Sequence, residues 1–183
     1  MSGDLVVRRG ELSAVIRAAG VSDAPWLAAL AERTFRETYT AYNTPEDMER
    51  YVLEHFAPAL QAAELADPRY VTLVAEVDGR PAAYAQLGRG PAPACVGGPD
   101  PMEIVRFYVD RRWHGQGLAQ ELMRAAATRA HAAGARTLWL GVWERNPRAI
   151  AFYRKCGFGE VGTQIFVLGA DRQRDLVLMR PLP

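Results

Sequence analysis

The chain has 183 residues, with 22 Lys and Arg against 21 Asp and Glu, so its formal net charge is +1. Hydrophobic residues make up 49% and charged residues 23%, which excludes wholesale disorder and removes any broad electrostatic case for nucleic acid or an anionic membrane surface as partner. No run of about 18 apolar residues is present to cross a membrane, and two cysteines, Cys95 and Cys156, are too few for a disulfide framework and lack metal-ligand spacing to any His or Cys.

Residues 1–12 show no period and read as an N-terminal extension to a single domain over 13–183. The first residues also lack the apolar segment of a secretory signal, so the expected compartment is the cytoplasm, with both thiols reduced. Residues 14–17 are a short strand. Ser22-Asp23-Ala24-Pro25 supplies a capping side chain and a first-turn proline. Leu27, Leu30, Ala31, Thr34, Phe35 and Thr38 then follow at helical spacing. Asn43-Thr44-Pro45-Glu46 starts a second helix, and residues 58–66 form a third. Residues 70–77 and 81–87 are strands joined at Asp78-Gly79, a two-residue hairpin turn. Residues 88–101 carry Gly and Pro without a period and form a loop. Then come a strand over 102–109, a helix over 117–133 ended by Gly134, a strand over 137–143, and a helix opened by Asn146-Pro147 and stopped by Gly157. Two antiparallel strands over 158–168 and 175–180 close the chain. This order predicts an α/β fold whose sheet is not wholly parallel.

One junction carries chemistry. After the strand ending Phe107-Tyr108-Val109, the chain reads Asp110-Arg111-Arg112-Trp113-His114-Gly115-Gln116-Gly117-Leu118-Ala119. A helix N-terminus offers unpaired N–H groups and partial positive charge, so it binds phosphate. Gly115 and Gly117 let a ligand approach the backbone without a Cβ in the way. The pattern lacks the Lys-Ser/Thr of a P-loop and the three glycines of a dinucleotide fold. It resembles the Gln/Arg-x-x-Gly-x-Gly/Ala pyrophosphate loop of the GCN5-related N-acetyltransferase (GNAT) family, with His114 departing from the usual Gln or Arg. Asn146-Pro-Arg-Ala-Ile-Ala-Phe-Tyr153-Arg-Lys-Cys-Gly-Phe158 is similar to the Asn-x-x-Ala-x-x-Phe-Tyr-x-x-x-Gly-Phe segment of the same family.

The resemblance implies a mixed, mostly antiparallel sheet of about seven strands flanked by helices, with the fourth and fifth strands splayed apart. It implies an acetyl-CoA-dependent transfer to a primary amine by direct attack in a ternary complex, with no metal. Backbone groups of Phe107, Tyr108 and Val109 would meet the pantetheine arm. His114, Gly115, Gln116, Gly117, Leu118 and Ala119 would hold the pyrophosphate, and Asn146 would touch the cofactor from the opposite lip. Tyr153 would protonate the leaving thiolate, as a phenol can when charge builds on sulfur. A backbone N–H of the splayed strand, chiefly that of Val109, would polarise the thioester carbonyl. Glu103, alternating with Val105 and Phe107, and Glu144, just before Asn146, are the candidate bases. Cys156 reads as a small packed thiol rather than an acyl carrier.

The acceptor is less defined. Phe35 and Tyr39, at i and i+4, are candidate pocket aromatics. Thr34–Tyr39, Leu138–Asn146, Phe166-Val-Leu-Gly and Asp175–Met179 resemble the Pai-type spermidine/spermine N-acetyltransferases, which makes a small polyamine-like amine a candidate. Two departures stand against it: Val105 replaces a strand carboxylate, and Arg172 and Arg174 would repel a polycation if they faced the pocket. A peptide or protein amine remains open, as does a non-catalytic acyl-CoA sensor. Dimers are frequent in the resembled family, so a homodimer is a further expectation.

Overall fold

A computed structural model describes residues 4–9, 12–168 and 171–183. Its strands are β1 (Leu5–Arg9), β2 (Leu12–Ala18), β3 (Tyr70–Val77), β4 (Arg80–Gly88), β5 (Pro101–Val109), β6 (Thr137–Trp143), β7 (Gly159–Leu168) and β8 (Asp171–Pro181). Its helices are α1 (Ala24–Tyr39), α2 (Pro45–His55), α3 (Pro58–Ala66), α4 (Leu118–Ala132) and α5 (Pro147–Lys155). Short 3-10 turns occupy Val21–Asp23 and Arg111–Trp113. No helix among the described residues is long and apolar enough to cross a membrane.

All eight strands join one sheet in the order β1-β2-β3-β4-β5-β6-β8-β7. Every neighbouring pair is antiparallel except β5 and β6. The strand beyond the expected seven is β1, inside the segment read as a period-less extension. It is held by its ladder to β2, from Leu5↔Ile16 to Arg9↔Leu12, and among its described side chains only Val7 is buried, too little pattern for periodicity to reveal. Asp78 and Gly79 both take positive φ, 51° and 70°, as the tight turn between β3 and β4 requires.

Local chemistry sets the helix ends. Thr44 caps α2 by accepting from the Asp47 N–H. Asp23 stands at the α1 N-cap but makes no capping hydrogen bond. Its carboxylate instead receives Arg17 at 2.7 and 2.9 Å, the Gly20 N–H and the Trp26 indole. A cap expected from sequence is therefore a clamp between β2 and α1.

Two cores form on opposite faces of the sheet. Leu118, Leu122 and Ala126 of α4 and Ile150 and Tyr153 of α5 pack with Leu138, Leu140 and Val142 of β6. Leu27, Leu30 and Phe35 of α1 pack with Met48 and Val52 of α2 on the other side. An irregularity in β5 decides which residues face which core. Gln86 opposes Arg106 and Leu87 opposes Ile104, leaving Val105 as the extra residue of a bulge. Met102 and Ile104 before it, and Phe107 and Val109 after it, all pack on the α4/α5 side. Glu103 therefore shares a face with Arg106 and Tyr108, on the α1–α3 side, and the simple alternation of Glu103 with Phe107 does not hold.

Candidate active site

β5 and β6 share only three register pairs: Pro101↔Thr137, Met102↔Leu138 and Glu103↔Trp139. Beyond them, β5 keeps β4 and β6 keeps β8. Facing backbone groups of residues 104–109 and 140–143 lose their ladder partner, so strand edges open in mid-sheet. A cleft of about 990 Å3 runs through this split.

One wall is the glycine turn. Asp110 is 1% exposed and receives the Arg112 N–H at 3.0 Å and the Arg112 and Arg33 guanidinium groups at 2.8 and 2.7 Å. Hydrogen bonds from Arg112, then from Arg33, hold its carboxyl well below the usual carboxylate range despite burial. This clamp pins the 3-10 turn and aims the following residues. Gly115 and Gly117 have φ of 77° and 87°, a region costly for residues with a Cβ, and Gly117 is the α4 N-cap. Gly115 faces open space, with no protein atom within 4 Å of where a Cβ would stand. Arg111, Arg145, Arg148 and Lys155 line the same cleft; sequence reasoning had not singled them out.

The expected cofactor residues divide by what each can offer. His114, Gly115, Gly117 and Ala119 line the cleft, as do Phe107, Tyr108, Val109 and Asn146. Leu118 is fully buried and has only its backbone N–H to give. The Gln116 amide donates to the Arg112 carbonyl at 2.8 Å and steadies the turn. His114 Nε2 lies 2.8 Å from the Val109 carbonyl oxygen and 2.8 Å from Arg148 Nη2. One ring nitrogen cannot donate to the first and accept from the second together. The Asn146 side chain accepts from the Ala149 N–H at 3.1 Å, so it caps α5, with Pro147 at the first helical position.

That cap fixes Tyr153 two turns on. Tyr153 is buried, with its ring against Phe107, Phe152 and Phe158, and it reaches the cleft. Burial, and secondarily Tyr39 and Cys156, push its hydroxyl above the ordinary phenol value, so it holds its proton. Cys156 is half-buried at the end of α5 with its carbonyl bonded by Arg180, and burial raises its thiol.

The opposite wall is aromatic and acidic. Phe35 stacks on Tyr51 at 4.5 Å, and Tyr39 lies 5.6 Å from Trp143 between ring centroids. Glu103 lines this wall, and burial raises its carboxyl. Glu144 is exposed, 3.5 Å from Arg174, and is not among the residues that line the cleft. Arg172 and Arg174 are exposed, whereas Gln173 and Asp175 between and beyond them are buried, so strand alternation turns both arginines away from the cleft. Asp175 was not foreseen. Its inward place in the otherwise apolar run Asp175-Leu-Val-Leu-Met179 was the available signal.

Residues 29–158 match the acetyltransferase (GNAT) family. The chain belongs to that family. It is 38% identical over 162 residues to an uncharacterised N-acetyltransferase of Mycobacterium tuberculosis, covering 88% of this chain and 99% of the relative. It is 32% identical over 160 residues to one from Lactobacillus delbrueckii, covering 87% and 92%. The fold matches the crystal structure of the PaiA N-acetyltransferase of Thermoplasma acidophilum in complex with coenzyme A, with a TM-score of 0.77, 19% identity, and coverage of 92% and 99%. This GNAT protein is thus an N-acetyltransferase, and its sheet with a parallel, splayed central pair is the GNAT fold.

Proposed function

We propose that the protein transfers the acetyl group of acetyl-CoA to a primary amine of a small molecule, by direct attack in a ternary complex. The observation that carries this is the polarity of the split. A cationic, backbone-lined wall holding Tyr153 faces an aromatic wall that carries the carboxylates of Glu37, Glu103 and Asp175, and the opened strand edges lie between them.

The residues fit the co-substrate. Free N–H groups at the start of α4, the open space over Gly115, and Arg111, Arg148 and Lys155 suit a pyrophosphate. The backbone groups of residues 104–109 that face the split, apart from the Val109 carbonyl met by His114, suit the amides of a pantetheine arm as an added strand would. Arg148, freed from His114 by choosing a phosphate oxygen, would leave the ring to the Val109 carbonyl. Tyr153, kept protonated by its burial, donates to the thiolate as the C–S bond breaks. The acceptor enters from the α1/α2 side, and the proton of its ammonium leaves into the wall that holds Glu103. Of the two carboxylates picked from sequence, only Glu103 reaches the cleft. Because Arg172 and Arg174 face away, the charge objection to a polyamine-like acceptor lapses.

Thiol release from acetyl-CoA with a panel of spermidine, simple alkyl and aryl amines, amino acids and a peptide tests the reading. Turnover of an amine by wild type, with Tyr153→Phe reduced about 100-fold or more in kcat and unaltered in CoA binding, is the expected result. An unchanged rate would move the acid role elsewhere. Gly117→Asp puts a charge and a Cβ at the turn and should abolish the thermal stabilisation by CoA, about 2.7 kcal/mol when CoA is at about 100 times its Kd; retained stabilisation would sink the pyrophosphate assignment.

A further inference from the structure

Asp175 is a buried carboxylate of the acceptor wall to which no chemical step has yet been assigned. It is 8% exposed, it lines the cleft, and its Oδ1 has no hydrogen-bond partner. Such a group is costly to keep in a fold unless something binds to it.

Its position is specific. Asp175 opposes Trp143 in the β6–β8 ladder and Gln164 in the β7–β8 ladder, yet its carboxylate leans back along the strand. A Cβ built on Gly141 would stand 3.1 Å from Asp175 Oδ2 and 2.5 Å from Gln164 Nε2. Gly141 is therefore the gap into which both polar ends fit. It lies two residues past Trp139, the last β6 residue paired to β5, which is about 7 Å along the strand. The carboxylate thus hangs over the open part of the split. Glu103, by contrast, is still paired to Gly88 on one side and Trp139 on the other, at the closed end.

The surroundings select a cation. Tyr39 of α1, Trp143 of β6 and Phe166 of β7 line the cleft with it, and aromatic faces with a desolvated carboxylate favour an ammonium group. No cation among the described residues pairs with it. Arg106, on the same face, is committed to Glu64 of α3, and Arg174 points to Glu144. The titratable groups that sense Asp175 are Tyr39 from α1 and Tyr51 from α2; β6 and β7 present Trp143 and Gln164, which do not titrate.

Resting on the function proposed above, we infer that Asp175 binds the acceptor as a protonated primary amine on an apolar body, and is the base that takes its proton. The ammonium N–H proton passes to the Asp175 carboxylate. The freed lone pair forms the C–N bond with the thioester carbonyl carbon, the nitrogen of the tetrahedral intermediate gives up its second excess proton to solvent in the cleft, the C–S bond breaks, and the thiolate takes the Tyr153 proton. Asp175 then gives its proton to solvent and the Tyr153 phenolate takes one back, so one proton is released per amide formed. Burial, which raises the Asp175 carboxyl to about 6, makes it a stronger base than an ordinary carboxylate while leaving it ionised at neutral pH.

The test compares wild type, Asp175→Asn, Gly141→Ala and Glu103→Gln with the best amine of the panel. Asp175→Asn should lower kcat/KM at least 100-fold and remove the acidic limb near pH 6, while CoA still stabilises the protein. Gly141→Ala, which crowds the carboxylate without deleting it, should give a smaller loss with the same direction. Glu103→Gln should cost under tenfold. Phenethylammonium should stabilise the wild-type–CoA complex more than uncharged phenethyl alcohol does, and this difference should vanish in Asp175→Asn. Loss of the pH limb in Glu103→Gln with Asp175→Asn near wild type overturns the inference and leaves the acetyltransferase reading standing. A wild type that binds CoA but turns over no amine overturns both.

Discussion

The two walls of the split are built in opposite ways. The cofactor wall uses backbone: a turn with two left-handed glycines, a helix start and an opened strand edge, with cations around them. The acceptor wall uses side chains from α1, α2, β5, β6, β7 and β8, and its carboxylates range from the exposed Glu37 through the half-buried Glu103 to the buried Asp175. A backbone wall suits a ligand whose phosphates and amides do not vary. A side-chain wall can be re-cut one residue at a time, and so is where specificity resides.

Perturbing the acceptor wall from within should have the largest effect. Phe35 is 1% exposed and stacked on Tyr51, so Phe35→Ala should cost about 3–5 kcal/mol in chemical denaturation. CoA binding should persist wherever the fold does. If CoA affinity falls in step with amine affinity, the two walls are not separable.

Next is the clamp of the cofactor wall. Asp110→Asn leaves Arg33 and Arg112 facing a neutral group, and a loss of about 2–3 kcal/mol is expected, reduced from a fully buried pair because both arginines are partly exposed. The folded carboxyl is depressed, so its stabilisation is present above the ordinary carboxylate value near 4 and fades as pH falls through and below it. Wild type and Asp110→Asn should therefore converge in stability toward pH 2; a gap that stays constant with pH would show a steric role instead.

The smallest effect has the reverse sign. Asp175 titrates at about 6, above the unfolded value near 4. Its ionised form therefore destabilises the fold above pH 6, less between 6 and 4, and not below 4. Asp175→Asn should raise stability at pH 7 by about 1–3 kcal/mol while lowering activity, the trade expected of a residue kept for function. A fall in stability would mark Asp175 as structural.

The same contrast explains what the sequence made legible. The cofactor wall is contiguous: His114 to Ala119 and Asn146 to Phe158 each carry their geometry in a short run, because glycine and proline positions dictate backbone shape. The acceptor wall joins residues up to about 140 positions apart, and nothing local announces that Tyr39, Trp143 and Asp175 meet. Phe35 and Tyr39 were visible as a helical pair, but not as a stack with Tyr51 and Trp143. The eighth strand escaped because β1 is a short edge whose described side chains bury only Val7, and the clamp made by Asp23 was hidden in a run that read as a cap, because Arg17 is invisible to a rule about neighbours.

Val105 is the one residue in β5 that the sheet does not count. Were β5 to pleat regularly with Val105 counted in the ladder, the Arg106–Tyr108 set would trade faces with the Phe107–Val109 set. Tyr108 would turn toward α5, and Phe107 would leave Tyr153 for α1. Deleting Val105 itself would keep every face, because Ile104 and Arg106 already oppose the adjacent Leu87 and Gln86, whereas a single deletion between residues 106 and 109 would turn the residues beyond it to the wrong side of the cleft. The loop over residues 89–100 can change length without such a penalty, so tolerance to insertion and deletion should end abruptly where β5 begins.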